Sequence, residues 1–238
     1  MRHVVITGTN RGLGQAFVDQ LAAEPGVRLL ALARSFPAEQ LEHPQITTRT
    51  CDLADPASLP DAAELAKFFV GATEAVLLHN AAVIEPIGEV GALDPDALIR
   101  SVAVNLTAPM LLTNAAVAAR PHGVPLRILF VSSGAAHHVI SGWSAYSATK
   151  RGGEEFFAHV TAEGRDDLVS VVSVDPGVID TGMQAEIRSA EFAERQRFID
   201  RHQRGELRPA AVVAAEILAA HLPPASLPPA SLPPASPR

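Results

Sequence analysis

The fold of this chain is decided by residues 4–14, which read Val4-Val5-Ile6-Thr7-Gly8-Thr9-Asn10-Arg11-Gly12-Leu13-Gly14. A short apolar run, a glycine-rich turn and then a helical pattern predict a buried strand followed by a helix. The glycines let the backbone approach a ligand, and the amides and dipole at the helix start attract an anionic pyrophosphate. The spacing is Thr-Gly-x-x-x-Gly-x-Gly, not the commoner G-x-G-x-x-G. The residues predicted to bind a dinucleotide here are Gly8, Asn10, Arg11, Gly12, Leu13 and Gly14.

The rest of the chain alternates strand-like and helix-like segments, a pattern typical of a parallel sheet covered by helices. Besides the first strand, strands are predicted at 27–33, 46–51, 75–79, 126–131 and 169–174, and helices at 12–23, 57–70, 95–119 and 210–221. We expect the helix at 95–119 to be interrupted near Asn105 to Pro109, because a proline removes a backbone donor and strains the preceding turn. The predicted fold class is a doubly wound, Rossmann-like α/β fold with helices on both faces of the sheet.

Composition excludes several classes of protein. A chain of 238 residues predicts one sizeable domain, and a net charge of −7 with a pI near 5.7 argues against a nucleic-acid partner. Cys51 is the single cysteine, which fits a reducing compartment. No uncharged apolar stretch approaches the roughly 20 residues of a membrane span, and no secretory signal precedes Val4. We therefore expect a soluble, cytoplasmic protein without a membrane partner.

Tyr146 and Lys150 are four residues apart, so they share one face if their segment is helical. A phenol has an ordinary pKa of roughly 10, and a nearby ammonium lowers it. Such a tyrosine can exchange a proton with a carbonyl or an alcohol near neutral pH. Ser133 follows the predicted strand at 126–131 and could hydrogen-bond the reacting oxygen, whereas Ser132 is expected to be structural. Taken alone, the pair also fits a helix face that carries a solvated lysine.

The second predicted strand ends at Arg34, where dinucleotide-binding folds meet the adenosine ribose. An acidic residue at this point suits a 2′-hydroxyl, whereas an arginine accommodates a 2′-phosphate. Arg34 and Arg11 could grip a phosphate through paired, charge-assisted hydrogen bonds. NADP(H) is therefore the predicted cofactor, the alternative being two solvated surface arginines. His137 and His138 have no further ligand at metal-binding spacing, so no metal site is predicted.

These motifs resemble those of a known family in their order and spacing. The glycine turn, Asn80-Ala81-Ala82, Asn105, the Ser133, Tyr146 and Lys150 set, and Pro176-Gly177 resemble the short-chain dehydrogenase/reductase family from residue 1 to about residue 220. Arg11 and the segment 175–181 look most like the sepiapterin reductase and benzil reductase branch, which reduces ketones and diketones with NADPH. The family more often has Asn-Ala-Gly where this chain has Asn80-Ala81-Ala82.

The resemblance implies roles for individual residues. The implied catalytic residues are Asn105, Ser133, Tyr146 and Lys150. The implied cofactor contacts beyond the glycine turn are Arg34, Asp52, Leu53, Asn80, Ala81, Tyr146, Lys150, Pro176, Gly177, Val178, Ile179 and Thr181. Asn105 would hold a water that links the lysine to solvent, or be a polar residue tolerated at a kink. Asp52 would accept from the adenine amino group, or cap a helix beginning near Pro56.

Two later segments carry further expectations. Residues 183–208 form a mobile lid over substrate in relatives, although their apolar side chains could equally pack a short helix onto the body. The domain is expected to span 1–221, followed at 222–238 by a Pro/Ala/Ser-rich disordered tail, either solubilising or a ligand for a proline-recognising domain. The family's usual seventh strand is expected to be missing. That absence puts in doubt the edge-to-edge contact that relatives often use to form tetramers, whereas the helices at 101–118 and 147–162 remain available for a homodimer.

The sequence thus predicts an NADPH-dependent carbonyl reductase that transfers hydride to a ketone or diketone, with Tyr146 as the general acid. A 3-oxoacyl thioester reductase or a hydroxysteroid dehydrogenase of the same family is an alternative, because fold and catalytic residues do not fix the substrate. A non-catalytic NADP(H)-sensing protein is another. Intact Ser133, Tyr146 and Lys150 count against it, since a sensor has no need of them.

Overall fold

The centre of the fold is a parallel sheet of six strands, seen in a computed structural model that describes residues 1–163 and 168–223. The strands are Arg2–Thr7 (β1), Val27–Ala33 (β2), Ile46–Thr50 (β3), Glu74–His79 (β4), Leu126–Val131 (β5) and Val169–Val174 (β6). Their spatial order is β3-β2-β1-β4-β5-β6, and every neighbouring pair is parallel. The order reverses between β1 and β4, which opens a crevice at the carboxyl ends of the strands.

Helices cover both faces of this sheet, as predicted. They are Gly12–Ala22 (α1), Ala38–Glu42 (α2), Ala62–Phe68 (α3), Pro95–Val102 (α4), Ala108–Ala119 (α5), Ser144–Glu163 (α6), Gly182–Ser189 (α7), Arg195–Gln203 (α8) and Ala210–His221 (α9). Two short strands, Ile179–Asp180 (β7) and Arg208–Pro209 (β8), pair separately near the end of the described chain. The doubly wound, Rossmann-like fold class is confirmed.

Two apolar cores hold the layers together. Every residue of β1 is buried, which is the pattern of a strand covered on both faces. Phe17 of α1 and Ile217 of α9 belong to one core, and Phe157 of α6 and Leu112 of α5 belong to the other. Burying one such side chain contributes roughly 1.5–3 kcal/mol, so each face fixes the position of its helices relative to the strand ends.

The helix predicted at 95–119 is interrupted, as expected, by a π turn at Ala103–Thr107. Pro109 lies in the first turn of α5 and cannot donate a backbone hydrogen bond, which accounts for the local change in pairing. This segment corrects one expectation, because Pro95–Ala119 is long and apolar enough to cross a membrane by length and composition. In the fold it packs against α3 and α6 instead, and a core helix of a soluble protein passes the same test.

Helix α3 begins at Ala62, whereas the sequence predicted a start at residue 57. The Asp61 side chain accepts from the Glu64 amide at 2.8 Å and sets this start. A separate short turn at Pro56–Ser58 precedes it, and Asp55 caps that turn by accepting from the Ala57 amide. The capping alternative proposed for Asp52 is therefore wrong, since Asp55 fills that position.

The end of the described chain is joined to its beginning. Helix α9 has the predicted bounds, and Leu222 after it is buried in the core with α1. The Arg2 guanidinium donates to the Pro223 carbonyl at 2.8 Å, so the packed part of the chain reaches Pro223. The remaining part of the predicted tail, 224–238, lies outside the described residues. Within the described ranges the main sheet has no seventh strand beside β6.

Candidate active site

The carboxyl ends of the central strands open into a cleft of about 480 Å³. Most of the predicted site residues line it: Gly8, Asn10, Arg11, Gly12, Leu13, Arg34, Asp52, Leu53, Asn80, Ala81, Ser133, Tyr146, Lys150, Pro176, Gly177, Ile179 and Thr181. Three predicted residues, Gly14, Asn105 and Val178, are not among the lining residues. Segments far apart in sequence therefore converge on one cleft, at the switch in strand order.

The glycine turn shapes the floor of this cleft. Gly8 and Gly12 have φ angles of +70° and +58°, a region that side chains rarely adopt. A Cβ atom at Gly14 would lie 1.9 Å from the Gly8 carbonyl oxygen, so the first turn of α1 packs directly on the loop. Gly14 thus serves the close packing of the turn and does not itself face the cleft.

Asn80 holds the glycine turn in place from the end of β4. Its Nδ2 donates to the carbonyl oxygens of Thr7 and Gly8, at 3.1 Å each. The backbone amides of Asn80 and Ala81 donate in turn to the Thr7 hydroxyl, also at 3.1 Å. The side chain of Asn80 is therefore engaged by protein groups, and it rigidifies the surface on which a pyrophosphate would lie.

Helix α6 brings Tyr146 and Lys150 to the carboxyl end of β5, and both side chains are buried. Lys150 Nζ donates to the Val131 carbonyl at 2.6 Å and lies 5.8 Å from the centroid of the Tyr146 ring. Gly153 permits this approach, because a Cβ atom there would lie 2.5 Å from the Phe130 ring. The ammonium is thus held beside the phenol, away from bulk water.

The two serines after β5 have different partners. Ser133 accepts from the Ala135 amide at 3.2 Å, lines the cleft and is hydrogen-bonded with Tyr146. The Ser132 hydroxyl also lines the cleft but donates to Glu154. The geometry therefore gives Ser133 the contact with the phenol that the sequence predicted for it.

The ionisation of Tyr146 differs from the expectation. Burial raises the pKa of Tyr146 to about 12; the Ser133 hydrogen bond opposes this rise and the charge of Asp175 adds to it. Burial also lowers the pKa of Lys150 to about 8. The prediction that Lys150 depresses the tyrosine pKa is wrong, because desolvation of the phenol dominates. At neutral pH Tyr146 is a protonated phenol, which is the form that can donate.

This ionisation state can be measured directly, because Tyr146 is the only tyrosine in the sequence. We expect the near-ultraviolet absorbance of phenolate to be absent from the ligand-free protein at pH ~10, where an ordinary tyrosine is about half ionised. The Tyr146→Phe variant supplies the baseline. Half-ionisation near pH 8 would show instead that Lys150 controls the phenol.

Asn105 lies in the π turn, with its side chain fully enclosed by protein groups. Its Oδ1 accepts from the Val83 amide at 2.8 Å, and its Nδ2 donates to the Val83 carbonyl at 2.8 Å and to the Thr149 hydroxyl at 3.2 Å. Asn105 thus connects the loop after β4 to α6, one residue before Lys150. Its role in holding a water stays a prediction.

Charged groups that the sequence did not identify surround the outer part of the cleft. Arg100 of α4 pairs with Asp52 at 3.3 Å, and Glu186 of α7 pairs with Arg11 at 3.5 Å. Arg100 and Glu186 carry no motif signal of their own, because both pairings depend on how distant segments fold together. Arg34 lines the same outer part of the cleft.

The residues present fit a bound dinucleotide. Gly8 and Gly12 line the cleft without a side chain, so their backbone is open to a ligand. A Cβ atom at Gly12 would lie 3.3 Å from Thr181. Gln184 also lines the cleft, is 8% exposed and has a buried Oε1 without a hydrogen-bond partner in the described residues. An unsatisfied buried acceptor is rare in folded proteins, and a ligand bound in the adjoining cleft is one way to satisfy it.

Aromatic side chains pack in a buried cluster against Tyr146. Trp143 stacks on Phe198 of α8 with ring centroids 5.1 Å apart, and it meets Tyr146 edge-on at 5.8 Å. Phe192 lies 5.8 Å from Phe198, and Ile187 of α7 is buried in the same cluster. The packing expected for 183–208 is therefore present, whereas lid movement stays a prediction.

Comparison with known proteins agrees with this geometry. The sequence model of the short chain dehydrogenase family matches residues 2–191. The benzil reductase ((S)-benzoin forming) of Bacillus cereus is 31% identical over 229 residues, which cover 90% of this chain and 91% of that protein. Its counterpart from Bacillus subtilis (strain 168) is 32% identical over 226 residues, 90% of each chain.

Solved structures of similar sequence have the same fold over nearly the whole chain. The crystal structure of the KRED1-Pglu enzyme matches with a TM-score of 0.82 and 30% identity, over 96% of this chain and 97% of that chain. The full length of the domain is therefore shared, including α7 to α9. This chain belongs to the short-chain dehydrogenase/reductase family, in its benzil reductase branch, and is an oxidoreductase that acts on carbonyl or hydroxyl groups of small molecules.

Proposed function

We propose that this protein is an NADPH-dependent carbonyl reductase that transfers hydride to a ketone or diketone, with Tyr146 as the general acid. The observation that carries the proposal is the position of Tyr146: it is buried, hydrogen-bonded with Ser133, close to Lys150, and in the same cleft as the glycine turn. Following NADPH absorbance with a panel of carbonyl compounds tests the proposal.

NADPH would supply the hydride, held by the glycine turn and Thr181, and the chain's own groups manage the proton. The Ser133 hydroxyl donates to the substrate carbonyl and polarises it. Tyr146 keeps its proton at neutral pH, because its pKa is raised to about 12, and gives it up only to a strongly basic alkoxide oxygen. The Lys150 ammonium then stabilises the phenolate that remains.

Preference for the phosphorylated cofactor is supported by Arg34 and Arg11, both of which line the cleft at the ribose end. Arg11 is ion-paired with Glu186 and largely exposed, so it can exchange that carboxylate for a phosphate. We expect Arg34→Ala to weaken NADPH binding about 10- to 100-fold and to leave NADH binding nearly unchanged, since a charge-assisted hydrogen bond contributes about 1.5–3 kcal/mol.

Binding of each cofactor can be followed by quenching of Trp143, the only tryptophan in the sequence. Arg28→Ala is the control, because it removes an exposed arginine from β2, the strand that Arg34 follows. If Arg34→Ala lost affinity for NADH and NADPH equally, Arg34 would support the fold of the cleft and would not bind the 2′-phosphate.

A ketone with apolar or aromatic substituents is the substrate that the apolar part of the cleft supports. Ala82, Val83 and Met183 line the cleft together with Tyr146 and present apolar side chains to it. The two Bacillus relatives are benzil reductases by name. A 3-oxoacyl thioester reductase and a hydroxysteroid dehydrogenase are the alternatives within the family. Comparing benzil, a pterin diketone, an acetoacetyl thioester and an oxosteroid separates them. A protein that binds NADPH and reduces none of these would be a sensor.

The assembly and compartment are proposed on separate grounds. Leu98, Ile99, Val102 and Leu111 of α4 and α5 expose apolar side chains on one helical segment, which supports a homodimer. Sedimentation at several concentrations tests this, and Ile99→Lys should weaken association if the surface is the interface. A buried free thiol at Cys51 supports a cytoplasmic, reducing location.

A further inference from the structure

Glu154 lies one helical turn after Lys150, in a chain of contacts that the mechanism above leaves unused. Its Oε1 accepts from the Ser132 hydroxyl at 2.5 Å, and its Oε2 lies 2.9 Å from His137 Nε2. The Glu154 side chain is 19% exposed, although a glutamate is ordinarily a surface residue. A carboxylate withdrawn from water and held by two partners next to a catalytic lysine requires an explanation.

The partners of Glu154 fix its orientation and the tautomer of His137. Arg151 Nη1 lies 3.0 Å from His137 Nδ1, and a guanidinium can only donate. Nδ1 is therefore the acceptor, so the proton of a neutral His137 is on Nε2 and is donated to Glu154. Glu154 thus accepts hydrogen bonds from Ser132, at the end of β5, and from His137, in the loop that follows. These two bonds join α6 to the end of β5 and to that loop.

Lys150, in contrast, has little to compensate for its burial. Its contacts are the Val131 carbonyl and the faces of the Phe130 and Tyr146 rings. A buried ammonium is normally paired with an anion, since its loss of hydration is otherwise large. The charge of Glu154 opposes the effect of burial on the pKa of Lys150.

The other titratable groups around this pair do not supply that negative charge. His79 of β4 is neutral, because burial, with a smaller effect of Lys150, lowers its pKa to about 3. Tyr146 is a neutral phenol, and Asp175, beyond β6, acts on Tyr146. Arg151 and His137 belong to the chain that holds Glu154.

We propose that Glu154 is a positioning residue for the reduction: its carboxylate keeps the Lys150 ammonium charged and fixes the end of β5 from which Ser133 reaches Tyr146. The proposal rests on the proposed carbonyl reduction. It extends the site beyond the residues that line the cleft, since Glu154 acts through Lys150 and Ser132 and does not touch substrate.

The variant Glu154→Gln removes the charge and keeps the shape, and its readout is the pH profile of kcat/KM. Lys150 must be protonated to support the phenolate, so activity falls as the pH rises through its pKa. Without the carboxylate the pKa of Lys150 is lower, so the alkaline limb of the kcat/KM profile should move to lower pH. The expected shift is roughly one pH unit, the low end of what a nearby opposite charge produces. At pH values above the pKa of Lys150, kcat/KM of Glu154→Gln should be about tenfold below that of the wild type, and at low pH the difference should be small.

Glu155→Gln is the matched control. Glu155 is the next residue of α6, is largely exposed and pairs only weakly with His159 at 3.4 Å, so its loss changes the net charge equally. Its alkaline limb should coincide with that of the wild type, and Glu154→Asp, which retains a carboxylate, should restore most of the shift. A uniform loss for Glu154→Gln at every pH, with an unmoved limb, would mean a merely structural role and would overturn the proposal.

A second measurement does not depend on turnover. The lysines of this chain are Lys67 and Lys150, so protein made with isotope-labelled lysine gives two titrating signals by NMR. Lys67 is exposed and serves as the reference, assigned with Lys67→Arg. Lys150 should titrate at lower pH in Glu154→Gln than in the wild type, and equal titration would overturn the inference. A wild type that reduces no carbonyl would instead refute the proposed function, with the NMR result still decisive for Glu154.

Discussion

Replacing Tyr146 with phenylalanine is expected to lower kcat for ketone reduction by about 10²- to 10⁴-fold, the usual contribution of a positioned general acid. The ring and its edge-on contact with Trp143 remain, so only the hydroxyl proton is lost. Without this proton the alkoxide that forms on hydride transfer loses its general acid, although Ser133 can still donate a hydrogen bond to it. Loss of NADPH absorbance with benzil, measured for both proteins, is the test.

Cofactor binding separates chemistry from folding in this experiment. The Trp143 fluorescence titration with NADPH should give the same affinity for Tyr146→Phe and wild type within a few fold. Ser147→Ala is the control, because Ser147 is the adjacent residue of α6 and is not among the residues that line the cleft. Retention of more than about a tenth of the wild-type kcat by Tyr146→Phe would remove Tyr146 from the acid role.

Introducing a single methyl group at Gly14 is expected to abolish NADPH binding and destabilise the protein by at least about 1–3 kcal/mol. The new Cβ atom would lie 1.9 Å from the Gly8 carbonyl oxygen and 2.5 Å from Asn80 Nδ2. Neither can move away easily, because one is backbone and the other holds the turn through two hydrogen bonds. The turn and α1 must separate, which displaces the pyrophosphate surface.

Gly88→Ala is the matched control for Gly14→Ala. A Cβ atom at Gly88 meets only a Leu93 methyl group at 3.4 Å, and the backbone there is not left-handed. Its melting temperature and NADPH affinity should stay near those of the wild type. If Gly14→Ala also melts and binds like the wild type, the close packing between turn and helix is not what shapes the cofactor site.

Much of the fold was predictable from runs of apolar residues. The bounds of β2, β5, β6 and α9 agree with those expected, because each is a segment rich in apolar residues with a glycine, proline or charged residue at or near its ends. The start of α3 was missed because two aspartates act as caps: Asp55 caps the separate turn at Pro56–Ser58, and Asp61 caps α3 itself. The five-residue α2 is too short to give a periodic signal.

Candidate site residues that belong to a sequence motif could be predicted, whereas contacts that form only in the tertiary fold could not. The glycine turn, Ser133, Tyr146 and Lys150 could be located because their spacing is set by local structure. The pairing of Arg100 with Asp52 could not, since residues about 50 positions apart must first be brought together. The pKa of Tyr146 was predicted in the wrong direction because the sequence shows its charged neighbour and not the depth of its burial.

The contact between Arg2 and Pro223 bears on how the protein can be handled. Arg2 is the first residue of β1, so Arg2 and Pro223 meet at the amino ends of the parallel strands. The cleft lies at the opposite edge, at the carboxyl ends of the strands. An affinity tag or a surface linker attached after Pro223 starts on the side facing away from incoming ketone and nucleotide. If the protein were immobilised through that end, the opening of the cleft would face the solution.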